Sequence, residues 1–162
     1  MFGLFKKKTG EPKVLVATQN GRSVDITTLP DPVFAEKMLG DGFAVAPSDG
    51  IVAAPADGEI IDVQDSLHAY GIRTDDGLEI LVHIGINTVA LNGEGFQCHV
   101  KVGNRVKAGD VLAEADLGLM KEKGYETYTI TLITNMDAVK NLRVDYVDTI
   151  RGETPVLTYN IG

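Results

Sequence analysis

Apolar and polar residues alternate with a period of two along most of this chain, and turn-forming residues cut the alternation into short runs. Successive side chains on a strand point to opposite faces, so runs of this kind predict half-buried strands. They place strands at 14–17, 43–46, 51–53, 59–63, 69–73, 79–84, 96–100, 111–116, 127–134, 144–147 and 156–161. The interruptions are Pro47-Ser48-Asp49-Gly50, Pro55-Ala56-Asp57-Gly58, Thr74-Asp75-Asp76-Gly77, Leu91-Asn92-Gly93-Glu94-Gly95 and Lys107-Ala108-Gly109-Asp110. Asp-Gly and Asn-Gly supply the positive backbone angles that tight turns need. Many short strands with regular turns predict an all-β fold, an antiparallel β-sandwich of the barrel-sandwich hybrid kind. Two short helices are expected within it. One covers 31–40, with Asp31 as cap, Pro32 at the first position and Gly40 at the end; the other covers 136–142, capped by Asn135.

Length and composition sharpen this picture. A chain of 162 residues, 44% of them apolar, suits one domain with a substantial core, here 13–162. Residues 1–12 read as a tail. Phe2, Leu4 and Phe5 beside Lys6-Lys7-Lys8 suggest weak contact with an anionic membrane surface, and a solvated tail is the simpler alternative. No apolar run reaches the roughly 20 residues that cross a bilayer, and the N-terminus lacks a secretory stretch, so a cytoplasmic protein is expected. Cys98 is the one cysteine, which excludes an internal disulfide. It runs in phase with Phe96 and Val100 and reads as a small packed hydrophobe. The net charge of −8 argues against nucleic acid and favours a basic protein partner.

The candidate chemistry lies in two of the three histidines. In the run 79–89, Ile80, Val82, Ile84 and Ile86 share one strand face, most simply the core. Glu79, Leu81, His83 and Gly85 share the other. The imidazole therefore stands beside a leucine and a position with no side chain, which leaves room for a backbone or a phosphate to approach. His68 heads a neighbouring strand-like segment. A histidine on a half-buried strand is commonly structural, but a second imidazole and an adjacent glycine point to a chemical site. His99, on the phase opposite Cys98, is expected at the surface or in a local hydrogen bond. With an ordinary pKa near 6.5, a histidine imidazole offers a neutral ring with a free lone pair near pH 7.

The segment Val82-His83-Ile84-Gly85-Ile86-Asn87-Thr88-Val89, followed by Asn92-Gly93-Glu94-Gly95-Phe96, resembles the signature of a known family. That family is the glucose-type IIA component of the bacterial phosphoenolpyruvate-dependent sugar phosphotransferase system. Further matches are 30–38, Gly40-Asp41-Gly42, Ala54-Pro55-Ala56-Asp57-Gly58, 104–110, Asn135-Met136-Asp137 and 152–156, in the family's order across nearly the whole chain. The resemblance implies a phosphocarrier in sugar uptake, a phosphotransferase component without metal or cofactor. It would take a phosphoryl group from the phosphohistidine carrier protein HPr and pass it to the IIB domain of a permease. On this resemblance His83 is phosphorylated on Nε2 with Nδ1 bonded to the Gly85 carbonyl, and His68 hydrogen-bonds the phosphoryl group. Ser66 stands where the family has a threonine that orients this second ring.

The resemblance also implies an apolar docking ring. Val33, Phe34, Met38 and Leu39 fall on its positions, and Leu81 and Val89 flank the histidine. Phe34 and Met38, four residues apart, are expected to share a helix face. Asp31 matches a carboxylate that steers the basic carrier, and Asn87 departs from a common aspartate, which weakens such steering. Three other readings compete. A zinc metallopeptidase needs three ligands, and Glu79 is the nearby acidic candidate. A biotinyl or lipoyl carrier shares a turn like 104–112 but needs a lysine tip that is missing here. A mainly regulatory protein, signalling through its phosphorylation state, is compatible with the first reading.

Overall fold

A computed structural model describes residues 11–162 of the chain; positions 1–10 of the expected 1–12 tail, with its expected membrane contact, lie outside the described residues. The strands are β1 (Lys13–Val16), β2 (Gly21–Val24), β3 (Asp41–Pro47), β4 (Ile51–Ala53), β5 (Gly58–Val63), β6 (Ala69–Arg73), β7 (Glu79–Ile84), β8 (Phe96–Cys98), β9 (Arg105–Val106), β10 (Val111–Ala115), β11 (Thr129–Ile133), β12 (Val139–Val144), β13 (Asp148–Thr149) and β14 (Pro155–Ile161). Two short α-helices, α1 (Pro32–Ala35) and α2 (Leu117–Glu122), lie between them. Every strand pairing is antiparallel.

An eight-stranded sheet in the order β13-β2-β3-β11-β7-β6-β5-β9 faces two three-stranded sheets, β1-β14-β12 and β4-β10-β8. Ile80, Val82 and Ile84 of β7 are buried in one large core with Leu15 and Leu157 of the first small sheet and Val52 and Leu112 of the second. This is the expected antiparallel sandwich. The opposite face of the eight-stranded sheet carries a smaller cluster: Ile26, Leu29, Phe34, Ala44, Ile86, Ile130 and Leu132.

Several local expectations fail for identifiable reasons. The helix at 136–142 is a single 3-10 turn, Met136–Ala138, that runs straight into β12. Asn135 does not cap it, because its Oδ1 accepts from the Glu79 amide at 2.8 Å and its Nδ2 donates to the Gly77 carbonyl at 2.9 Å. With the cap engaged elsewhere, Val139, Leu142 and Val144 pack on the main core from a strand paired with β14. The first helix stops at Ala35 rather than at Gly40. Lys37 turns left-handed with φ 56°, and the bonds from Lys37 N to Phe34 O and from Met38 N to Val33 O close a Schellman end. Phe34 and Met38 therefore do not share a face: Phe34 is 4% exposed and Met38 67%.

Helix α2 is absent from the alternation reading. Its signals are Asp116, whose carboxylate caps the Leu119 amide at 3.0 Å, and Gly124 in the left-handed region just past its end. β2, β9 and β13 are too short or too polar for the period to reveal. Ile86 does not follow Ile84 into the main core, because Gly85, at φ 77°, breaks the strand phase and turns Ile86 onto the other face.

Candidate functional site

His83 lies near the end of β7, between Ala69 of β6 and Ile130 of β11. Directly paired residues share a sheet face, so the imidazole stands on the side of the smaller cluster. Phe34 reaches it from α1, with ring centroids 5.1 Å apart at 62°. His68 reaches it from the residue before β6, with centroids 4.9 Å apart at 87°. The amide of Ile84 donates to the His68 carbonyl at 2.7 Å, which ties this residue to the strand bearing its neighbour. The two histidines, 15 positions apart in the chain, thus form an edge-to-face pair.

Nδ1 of His83 is 2.8 Å from the carbonyl oxygen of Gly85. A carbonyl accepts only, so Nδ1 donates and Nε2 holds the lone pair. Burial pushes the His83 pKa down to about 4, and the neighbouring His68 adds to this; the Gly85 bond and the charge of Asp31 pull the other way. Burial also lowers His68. Both rings are therefore neutral near pH 7. A neutral ring with one nitrogen tied down and the other bare is a nucleophile.

Two expectations about the surroundings are corrected. Of the two approaches expected beside Gly85, a backbone makes one, since the Glu126 carbonyl would lie 3.1 Å from a Cβ there; the direction of that Cβ is not open for a phosphate, because it would meet Thr88 Cγ2 at 2.5 Å and Met120 Cε at 2.6 Å. The glycine instead allows a left-handed turn and close packing against α2. The orienting bond from Ser66 is not formed either: Nδ1 of His68 is buried without a partner, and this histidine is 6% exposed.

Around the pair, Asp31 accepts from the Val33 amide at 2.9 Å, and its charge also acts on His83. Val33, Met38 and Leu39 are exposed around α1, and Asn87 and Val89 are exposed just after Gly85. Leu81 is half-buried against the smaller cluster. Phe34 is buried beneath this surface rather than part of it. Sequence reasoning missed Ile130, which pairs directly with His83, and Thr88 and Met120, which pack against Gly85.

The remaining features lie apart. His99 pairs with Glu114 at 2.7 Å on the surface, and Cys98 Sγ lies 2.9 Å from the Val100 carbonyl. Glu79 pairs with Arg73 at 3.3 Å, and among the described residues no three of His, Cys, Asp and Glu group as a metal site. A surface cavity of about 350 Å³ next to Lys13, Asp57, Asp76 and Tyr159 contains neither histidine of the pair. No helix among the described residues is long and apolar enough to cross a membrane.

Comparisons with known proteins identify the family. Residues 13–139 match the family model of the phosphoenolpyruvate-dependent sugar phosphotransferase system, EIIA 1. The glucose-specific EIIA component of Halalkalibacterium halodurans is 45% identical, over 99% of this chain and 96% of that protein. A glucose-specific EIICBA component of Streptococcus pneumoniae is 41% identical over 94% of this chain but 20% of its own length. Among solved structures, the glucose permease IIA of Mycoplasma capricolum superposes with a TM-score of 0.83 at 34% identity, covering 91% of this chain and 96% of that one. The fold, the order of its motifs and these matches together place the chain in the EIIA 1 family of the phosphoenolpyruvate-dependent sugar phosphotransferase system.

Proposed function

We propose that His83 is the residue on which this phosphocarrier of sugar uptake holds its phosphoryl group. It takes the group from HPr and hands it to the IIB domain of a glucose-type permease at the cytoplasmic face of the membrane. The observation that carries this reading is the tethered ring pair: His83 Nδ1 held by Gly85, with His68 edge-on at 4.9 Å. Nε2 attacks the phosphorus of the donor phosphohistidine, and the P–N bond of the donor breaks as the new P–N bond forms. The donor ring recovers the electron pair, and no proton has to leave Nε2. Each transfer rests on alignment and on electrostatic stabilisation of the group in flight.

The bound phosphoryl group carries close to two negative charges, which are costly beside an apolar cluster without donors. His68, edge-on to His83 at 4.9 Å, supplies such a donor. Asp31 adds a negative rim charge that suits a basic carrier, while the exposed Val33, Met38, Leu39 and Val89 supply apolar contact. The EIICBA relative, of which this chain matches a fraction, fits a IIA unit that works directly with permease domains.

The test is phosphorylation with phosphoenolpyruvate, the system's first enzyme and HPr. An acid-labile, alkali-stable adduct is expected on the wild-type chain. His83→Ala loses all labelling, and a variant that still labels refutes the assignment. His68→Ala takes the label but passes it to IIB about a hundredfold more slowly; normal turnover would remove His68 from the mechanism.

A further inference from the structure

His68 has no side-chain bond to aim it, yet it stands edge-on to His83. The turn before it explains how. Leu67 is left-handed, with φ 59°, a conformation uncommon for a bulky side chain. Its amide donates to the Gln64 carbonyl at 2.8 Å, and its carbonyl accepts from the Tyr70 hydroxyl at 2.9 Å. The amide of Gln64 closes the turn onto the Ala69 carbonyl at 3.1 Å.

Tyr70 is fully buried and pairs across to Val82, so its ring lies on the core side of the sheet while Ala69 and His83 share the other. The hydroxyl therefore reaches back from the core to the main chain that carries His68. Burial, with a contribution from Cys98, pushes the Tyr70 phenol well above its ordinary pKa, so this donor keeps its proton at any pH of interest.

We infer that Tyr70 is a positioning residue for phosphoryl transfer: its hydroxyl holds Leu67 in the left-handed turn that points His68 at the His83 site. This rests on the reading of His68 as the stabilising donor. The mechanical chain is short. Without the hydroxyl, the Leu67 carbonyl loses its partner and the turn can relax toward a conformation its side chain prefers, and the ring attached to the next residue moves with it. A glycine at 67 adopts the left-handed region without help, so it should make the hydroxyl dispensable.

The experiment compares the full chain with Tyr70→Phe, with Leu67→Gly/Tyr70→Phe and with Leu67→Val. The readouts are the His68 ring signal by NMR in unphosphorylated protein, labelling of His83 by HPr, and transfer to IIB. Tyr70→Phe should shift the His68 signal, leave labelling in place and slow transfer to IIB about tenfold. The double variant should bring both the signal and the transfer rate back toward wild type. Leu67→Val keeps the hydroxyl but disfavours the turn, so it should shift the same signal even if Tyr70→Phe folds poorly. An unmoved His68 signal in both single variants, or a double variant no better than Tyr70→Phe, overturns the inference. Absence of labelling on wild-type His83 would instead remove the phosphocarrier site, while the His68 signal and its rescue still decide the clamp.

Discussion

The two faces of the eight-stranded sheet use the same strands for opposite ends. On the inner face Val82, Ile84, Phe43 and Val45 have no exposed surface and meet two further sheets. On the outer face Leu81, His83, Ile130 and Leu132 are covered by a short helix, a 3-10 turn, the loop after β7 and, at His83, the ring of His68. The first arrangement maximises burial, and burial of apolar surface is what stabilises the fold. The second is a partial cover. The proposed nucleophile, His83, has to be dry enough to stay neutral and open enough to be touched by a partner. A complete second layer would forbid the partner, and no layer would leave the ring in water.

The difference can be broken from either side. Phe43→Ala empties the inner face and should cost about 3–5 kcal/mol in chemical denaturation, while whatever folded protein remains still labels at His83. Gly85→Ala strikes the turn that holds His83, at the end of β7, where Met120 of the main core also packs. At φ 77°, with Thr88 and Met120 already in the space, a methyl group there should cost about 2–3 kcal/mol and also displace the carbonyl that holds His83 Nδ1. Labelling should fall much further than stability, the reverse of the Phe43 result.

A pH titration sharpens the comparison without any change to packing. The unfolded His83 takes up a proton below about 6.5, whereas the folded ring resists it down to about 4. The unfolded state therefore binds more protons in this window, and stability must fall as pH drops from about 6.5 toward 4, by up to about 3 kcal/mol. His83→Gln should flatten that part of the profile; an unchanged slope would mean the outer face does not hold the ring neutral. The smallest effect belongs to the exposed pair of His99 and Glu114. His99→Ala should shift stability by less than about 1 kcal/mol and leave labelling unchanged.

Much of the sandwich was legible in the chain because strand alternation and Asp-Gly or Asn-Gly turns are local signals. The phase of β7 separated Val82 from His83 before any neighbour was known, and Asp31 with Pro32 marked the start of α1. Local signals also misled. Asn135 has the composition of a cap but spends its amide on the β6–β7 hairpin, 58 positions back at Gly77. Gly85 looked like vacant space, and a side chain from α2 fills it.

The sequence by itself determined most of the longer strands, the faces of β7 and the presence of two histidines in apolar surroundings, because each follows from the spacing of residues along one backbone. Only the tertiary structure decided that His68 meets His83 edge-on, that Phe34 lies beneath the exposed surface rather than in it, and that Tyr70, not Ser66, bonds near His68. Those contacts join side chains and main chain from different elements, and their geometry is set by strand register and by which face each element covers. Neither quantity exists until the sheets have packed.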